Sequence, residues 1–100
     1  MDLKQEQDLI AKIKTDSSAF EVLYEYNYSK IFNYTLRRSV NIELAQDITS
    51  EVFIKAFNKL WLFKWRNISF TAWLYRIATN EISSYFRKNK TSSISLNIAS

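Results

Sequence analysis

The stretch Glu43-Leu-Ala-Gln-Asp-Ile-Thr-Ser-Glu-Val-Phe-Ile-Lys-Ala-Phe57 decides the fold class. Its Ala45, Ile48, Val52 and Ala56, followed by Leu60, recur every three or four residues and so line one side of an α-helix. Asn41 has the short side chain of a helix N-cap. Glu43 falls in the first turn, where negative charge suits the helix dipole.

Working outward, the same periodicity predicts three more helices. A second helix is expected from Ser17 to about Val40, with Phe20, Leu23, Tyr24, Tyr28, Ile31 and Tyr34 as its apolar stripe and Arg37 and Arg38 in its last turn. Asp16, Ser17 and Ser18 form the polar break before it. A short amphipathic helix over Leu3–Lys14 precedes that break, carrying Leu3, Ile10 and Ile13. The segment from Trp61 to Ser69 mixes aromatics and cations without a clean period and reads as a loop. A fourth helix is expected from Ser69 to about Lys90, with Phe70, Trp73, Leu74, Ile77, Ala78 and Tyr85 inward. Residues 91–100 lack charge and period and read as a linker or tail. The expectation is an all-α compact bundle of three to four helices over residues 1–90.

Composition narrows the function. The 100 residues are 47% hydrophobic and 24% charged, with no Gly, Pro, Cys or His. Without Gly, a hairpin-rich all-β fold is disfavoured and glycine-rich phosphate loops are excluded. Without Cys and His there is no disulfide framework, thiolate chemistry, imidazole metal ligand or Ser-His-Asp triad. Most enzyme templates fall with them, and the carboxylates Asp47 and Glu51, one turn apart on an exposed face, offer no evident pocket or second acid-base group, so no enzyme, cofactor or metal is expected. The polar N-terminus and the lack of a long apolar run predict a soluble cytoplasmic protein without membrane insertion. Charge is uneven: residues 1–52 carry six Lys and Arg against nine Asp and Glu, a balance of −3. Residues 53–100 carry eight against the single Glu81, a balance of +7, which points to a polyanion as one partner.

Three surfaces stand out. Asp47, Ser50, Glu51, Ile54 and Asn58 share the helix face opposite the third helix's core stripe. With Phe57 they make an acidic face with an apolar centre, suited to docking a basic protein partner. On the fourth helix, Arg76, Asn80, Ser83 and Arg87 follow at i, i+4, i+7 and i+11, with Ser84 beside them. Such a stripe pairs cations for phosphates with an amide for a base edge. In the loop, Phe63, Lys64, Trp65 and Arg66 interleave rings and charge, a pattern that stacks an unpaired base while holding its backbone. The competing reading is a helical protein-interaction module whose basic half only confers solubility.

The stretch 43–57, together with Phe70-Thr-Ala-Trp-Leu-Tyr-Arg-Ile-Ala-Thr-Asn80, resembles the extracytoplasmic-function (ECF) RNA polymerase sigma factors over their N-terminal region 2. The likeness runs from about residue 19 to residue 90. It implies a promoter-melting domain in which Asp47, Ser50, Glu51, Ile54 and Asn58 dock on the β′ clamp helices of core RNA polymerase. It further implies that Phe63, Lys64, Trp65, Arg66 and Asn67 form the loop that accepts a flipped non-template base of the −10 element, with Asn80 beside that pocket. Arg76, Ser83, Ser84, Arg87, Lys88 and Lys90 would line the DNA, the cations holding phosphates. An anti-sigma factor is a further implied partner, and residues 91–100 would lead toward a helix-turn-helix domain outside this sequence.

Overall fold

The computed structural model describes residues 1–63 and 68–99, with side chains through Asn89. Among the described residues there is no strand. Helix α1 spans Leu3–Ile13 and is closed at its start by a reciprocal cap. The Gln5 N–H donates to Asp2 Oδ1 at 2.8 Å and the Asp2 N–H donates to Gln5 Oε1 at 3.0 Å, which satisfies two otherwise orphaned donors.

The expected break at Asp16 is present. It caps a single 3₁₀ turn, Ser17–Ala19, through its side chain rather than opening the long helix directly. Helix α2 then runs Phe20–Ser39 and α3 runs Ile42–Asn58. Asn41 Oδ1 accepts the Leu44 N–H at 2.9 Å, the N-cap its residue type predicts. Between the two helices Val40 adopts the left-handed conformation (φ 55°, ψ 28°), where a glycine would ordinarily sit, and its N–H donates to the Leu36 carbonyl at 2.8 Å.

After α3 the chain makes one further 3₁₀ turn, Leu60–Leu62, which takes Leu60 from the expected end of the third helix and Trp61 and Leu62 from the stretch expected to be irregular. Such turns commonly tighten helix C-termini, and α3 ends at Asn58 with Lys59 as its C-cap, immediately before this turn. Helix α4 starts at Phe70, with Ser69 Oγ accepting the Ala72 N–H at 3.1 Å. It continues to Ala99, nine residues beyond the expected end near Lys90. The physical reason is that residues 91–99 contain neither Gly nor Pro, and extending an existing helix incurs no new nucleation cost.

α3 packs against both α2 and α4, which also touch each other, and α1 lies on α2. Leu23 and Ile31 of α2, Val52 and Ala56 of α3, and Phe70, Leu74 and Ala78 of α4 are fully excluded from solvent. Ile10 and Ile13 bring α1 into the same core. The α2 stripe differs from its expectation in one respect. The buried line is Leu23, Asn27, Ile31 and Thr35, at strict four-residue spacing, while Tyr24 lies on the surface. Asn27 tolerates the interior because its Nδ2 donates to the Leu23 carbonyl at 2.9 Å and its Oδ1 accepts the Thr71 hydroxyl at 2.6 Å.

Candidate functional site

The α3 cap and its core stripe set the helix rotation, and that rotation places Asp47, Ser50, Glu51, Ile54 and Asn58 on one exposed face. Ile54 is 53% exposed and Phe57 43%, high values for large apolar side chains. Neither stands alone. Ser50, Ile54, Phe57 and Asn58 line a shallow groove whose remaining wall is Phe20, Tyr24 and Phe53. The Phe20 and Phe57 rings meet edge to face with centroids 5.1 Å apart, and Tyr24 leans on Phe53 at 4.8 Å. Sequence periodicity had assigned Phe20 and Tyr24 to the interior. Leu23, of the same stripe, is fully buried and Phe20 half-buried against the core, whereas Tyr24, about 100° further round the helix than Leu23, is turned outward beside α3.

A second groove separates α3 from α4. Asp47 and Glu51 face Ser84 and Lys88 across it, with Ile48, Glu81 and Tyr85 lining the same cleft. The structure therefore divides the fourth-helix residues named above. Ser84 and Lys88 stand with the α3 carboxylates, whereas Arg76, Asn80, Ser83 and Arg87 occupy an exposed flank. Glu81, the one acid after residue 52, is paired with Lys55 of α3. The hydrogen bond to Glu81 raises the Lys55 pKa above its ordinary value, partly opposed by desolvation.

α2 contributes to the α4 flank in a way periodicity does not show. The Tyr34 and Thr79 hydroxyls lie 2.5 Å apart, and the Tyr34 ring meets Tyr75 at 5.1 Å. The Arg38 guanidinium sits 3.9 Å over the Tyr34 ring. A cation that looked like a helix-end charge is thereby held next to the turn of α4 from which Arg76 and Asn80 project.

Phe63 is half-buried. Its ring packs 5.1 Å from Trp73 and 5.7 Å from Phe70, so it belongs to the aromatic end of the core as well as to the surface. Lys64, Trp65, Arg66 and Asn67 lie outside the described residues, as does the side chain of Lys90. Trp61, 76% exposed, was not singled out from the sequence, and the 3₁₀ turn carries it outward. Among the described residues no group of acidic side chains gathers to hold a metal ion, and no helix is long and apolar enough to cross a membrane.

The sigma-70 region 2 family model matches residues 23–92, covering most of the bundle and, Phe20 apart, the lining of both grooves. The chain belongs to that family. It is 38% identical over 77 residues to the ECF RNA polymerase sigma factor SigW of Bacillus subtilis, spanning 77% of this chain and 41% of that protein. Over 71 residues it is 35% identical to the RNA polymerase sigma factor YlaC of the same organism, spanning 71% of this chain and 40% of that protein. To the ECF RNA polymerase sigma factor BldN of Streptomyces coelicolor it is 29% identical over 75 residues, 75% of this chain and 28% of that protein. The chain thus spans 28% to 41% of the length of these relatives. The family likeness places it with ECF region 2 domains, and α1, up to Ile13, lies ahead of the matched segment.

Proposed function

We propose that this region 2 domain acts in transcription initiation by docking on core RNA polymerase through the α3 face and by capturing an unpaired non-template base of the −10 element beside α4. The observation that carries the reading is the coherence of the α3 face. Asp47, Ser50, Glu51, Ile54 and Asn58 are all exposed together and continue into the aromatic groove of Phe20, Tyr24, Phe53 and Phe57. An apolar centre with a charged rim is the anatomy of a protein-docking surface. The acidic rim selects a basic partner, here the β′ clamp helices. An anti-sigma factor would compete for the same faces.

On the DNA side, Arg76, Arg87 and Lys90 supply phosphate contacts and Asn80 a base-edge contact, with Lys88, across from Asp47 and Glu51, at the margin between the two faces. Extruding a base costs a few kcal/mol, and stacking on a ring returns about 1–3 kcal/mol per base. Phe63 is the described ring for that role, with Lys64, Trp65, Arg66 and Asn67 completing the loop and Ser83 and Ser84 beside Asn80. Binding the melted strands more tightly than the duplex shifts the equilibrium toward opening, with no bond made or broken by the domain. Such a protein works in the cytoplasm, where polymerase and promoter meet.

The test is competition binding to core RNA polymerase against the primary sigma factor. An Asp47→Lys, Glu51→Lys double variant is expected to lose about tenfold or more in affinity, since like-charge juxtaposition at an interface costs several kcal/mol. Asn80→Ala should keep polymerase binding and lose single-stranded −10 affinity. A folded double variant that binds polymerase as the wild type does would refute the docking face. Retained polymerase binding with no DNA affinity in any form would favour an interaction module.

A further inference from the structure

The first turn of any α-helix presents four N–H groups without helical partners. In α4 three separate elements converge on that turn. Ser69 takes the Ala72 N–H, as described above. Asn27, held in α2, accepts the Thr71 hydroxyl. The third partner comes from α1: the Glu6 carboxylate accepts the Phe70 N–H, and the Thr71 N–H also favours its ionised form.

Glu6 is only 6% exposed, an unusual location for a carboxylate. The helix N-terminus supplies both donors and a favourable dipole, and Lys30 and the N-terminal ammonium add attraction. The donor that Glu6 holds belongs to Phe70, whose ring is fully buried and touches both Phe63 and Trp73, the latter at 5.7 Å. A fixed backbone at Phe70 therefore fixes the surface against which Phe63 leans.

We infer that Glu6 is a positioning residue for base capture: through the Phe70 amide it holds the first turn of α4, and through the Phe70 ring it sets the place of Phe63. This rests on the reading of Phe63 as the stacking ring. Glu6 itself touches no DNA in this scheme.

The full chain bound to core polymerase, as wild type, Glu6→Ala and Glu6→Gln, is titrated with two single-stranded non-template oligonucleotides differing at one −10 base. Glu6→Ala should bind polymerase much as the wild type does, yet lose about tenfold in discrimination between the oligonucleotides, the scale of one charge-assisted hydrogen bond. Glu6→Gln keeps an acceptor oxygen at the same reach and should restore most of the loss, a rescue that general destabilisation would not show. Unchanged discrimination in folded Glu6→Ala overturns the inference while leaving base capture intact. Should Glu6→Ala not fold, Phe70 amide exchange is read beside discrimination in Glu6→Gln: an exposed amide with wild-type discrimination, or a protected amide with lost discrimination, overturns the inference, and the two retained together or lost together support it. A wild-type complex that binds neither oligonucleotide rejects base capture itself, and the inference with it.

Discussion

Replacing Val40 by glycine should stabilise this protein, although it deletes a whole side chain. Val40 ends α2 at φ 55°, where Cβ crowds the backbone, and an L-residue there costs about 1–2 kcal/mol. Glycine removes that cost. Against it stands the greater freedom of glycine in the unfolded chain, about 0.5–1 kcal/mol. Little packing is lost, because Val40 is 85% exposed: about 0.3 kcal/mol out of the roughly 2 kcal/mol that full burial of a valine is worth. The net expectation for Val40→Gly is a gain of about 0.5 kcal/mol, which in a domain of this size raises Tm by about 2–4 °C. Val40→Asn tolerates the same conformation without the glycine entropy cost and should gain somewhat more. Urea unfolding followed by circular dichroism reads both as a higher midpoint at unchanged slope. If both variants are less stable than the wild type, the left-handed turn at Val40 is not a site of strain and the reasoning fails.

Two further outcomes follow from the buried polar groups. In a double-mutant cycle, Asn27→Ala and Thr71→Val should couple by about 1 kcal/mol, the net worth of one interhelical hydrogen bond, and a coupling near zero would mean the 2.6 Å contact does not join α2 to α4 in solution. Burial raises the Glu6 pKa above the ordinary 4.5, more than its backbone hydrogen bonds lower it. The folded state therefore holds the Glu6 proton more tightly than the unfolded state, and this stabilisation is complete below 4.5 and lost as pH rises through the raised value. Wild type should accordingly gain on Glu6→Gln as pH falls from neutral toward 4.5 in paired unfolding titrations, and an opposite slope would contradict the assignment.

Where apolar spacing and capping agree, the elements are readable from sequence. The start and rotation of α3 follow from Asn41 and the Ala45, Ile48, Val52 and Ala56 stripe, and its exposed face follows from the same rotation. Periodicity fails where a polar side chain does an apolar side chain's work. Asn27 and Thr35 hold the buried line of α2, so the stripe drawn through its rings is displaced and Tyr24 emerges on the surface. Glu6 is invisible for a related reason, since a carboxylate in an amphipathic helix reads as solvated until α4 brings its N–H groups to it. The separation of Lys88 from Arg76 and Asn80 needed the approach of α3, which no wheel of α4 alone contains.

The bond between Glu6 and Phe70 joins positions 64 residues apart in a bundle otherwise built largely from neighbouring helices. Contacts of long sequence separation bear the larger loop-closure entropy and tend to form after local ones. Docking of α1 onto the start of α4 is therefore expected to follow the folding transition state, with a φ-value near zero for Glu6→Ala and the loss appearing in the unfolding rate. The base-reading end of the domain would then be the last part to acquire its native order and the first to release it.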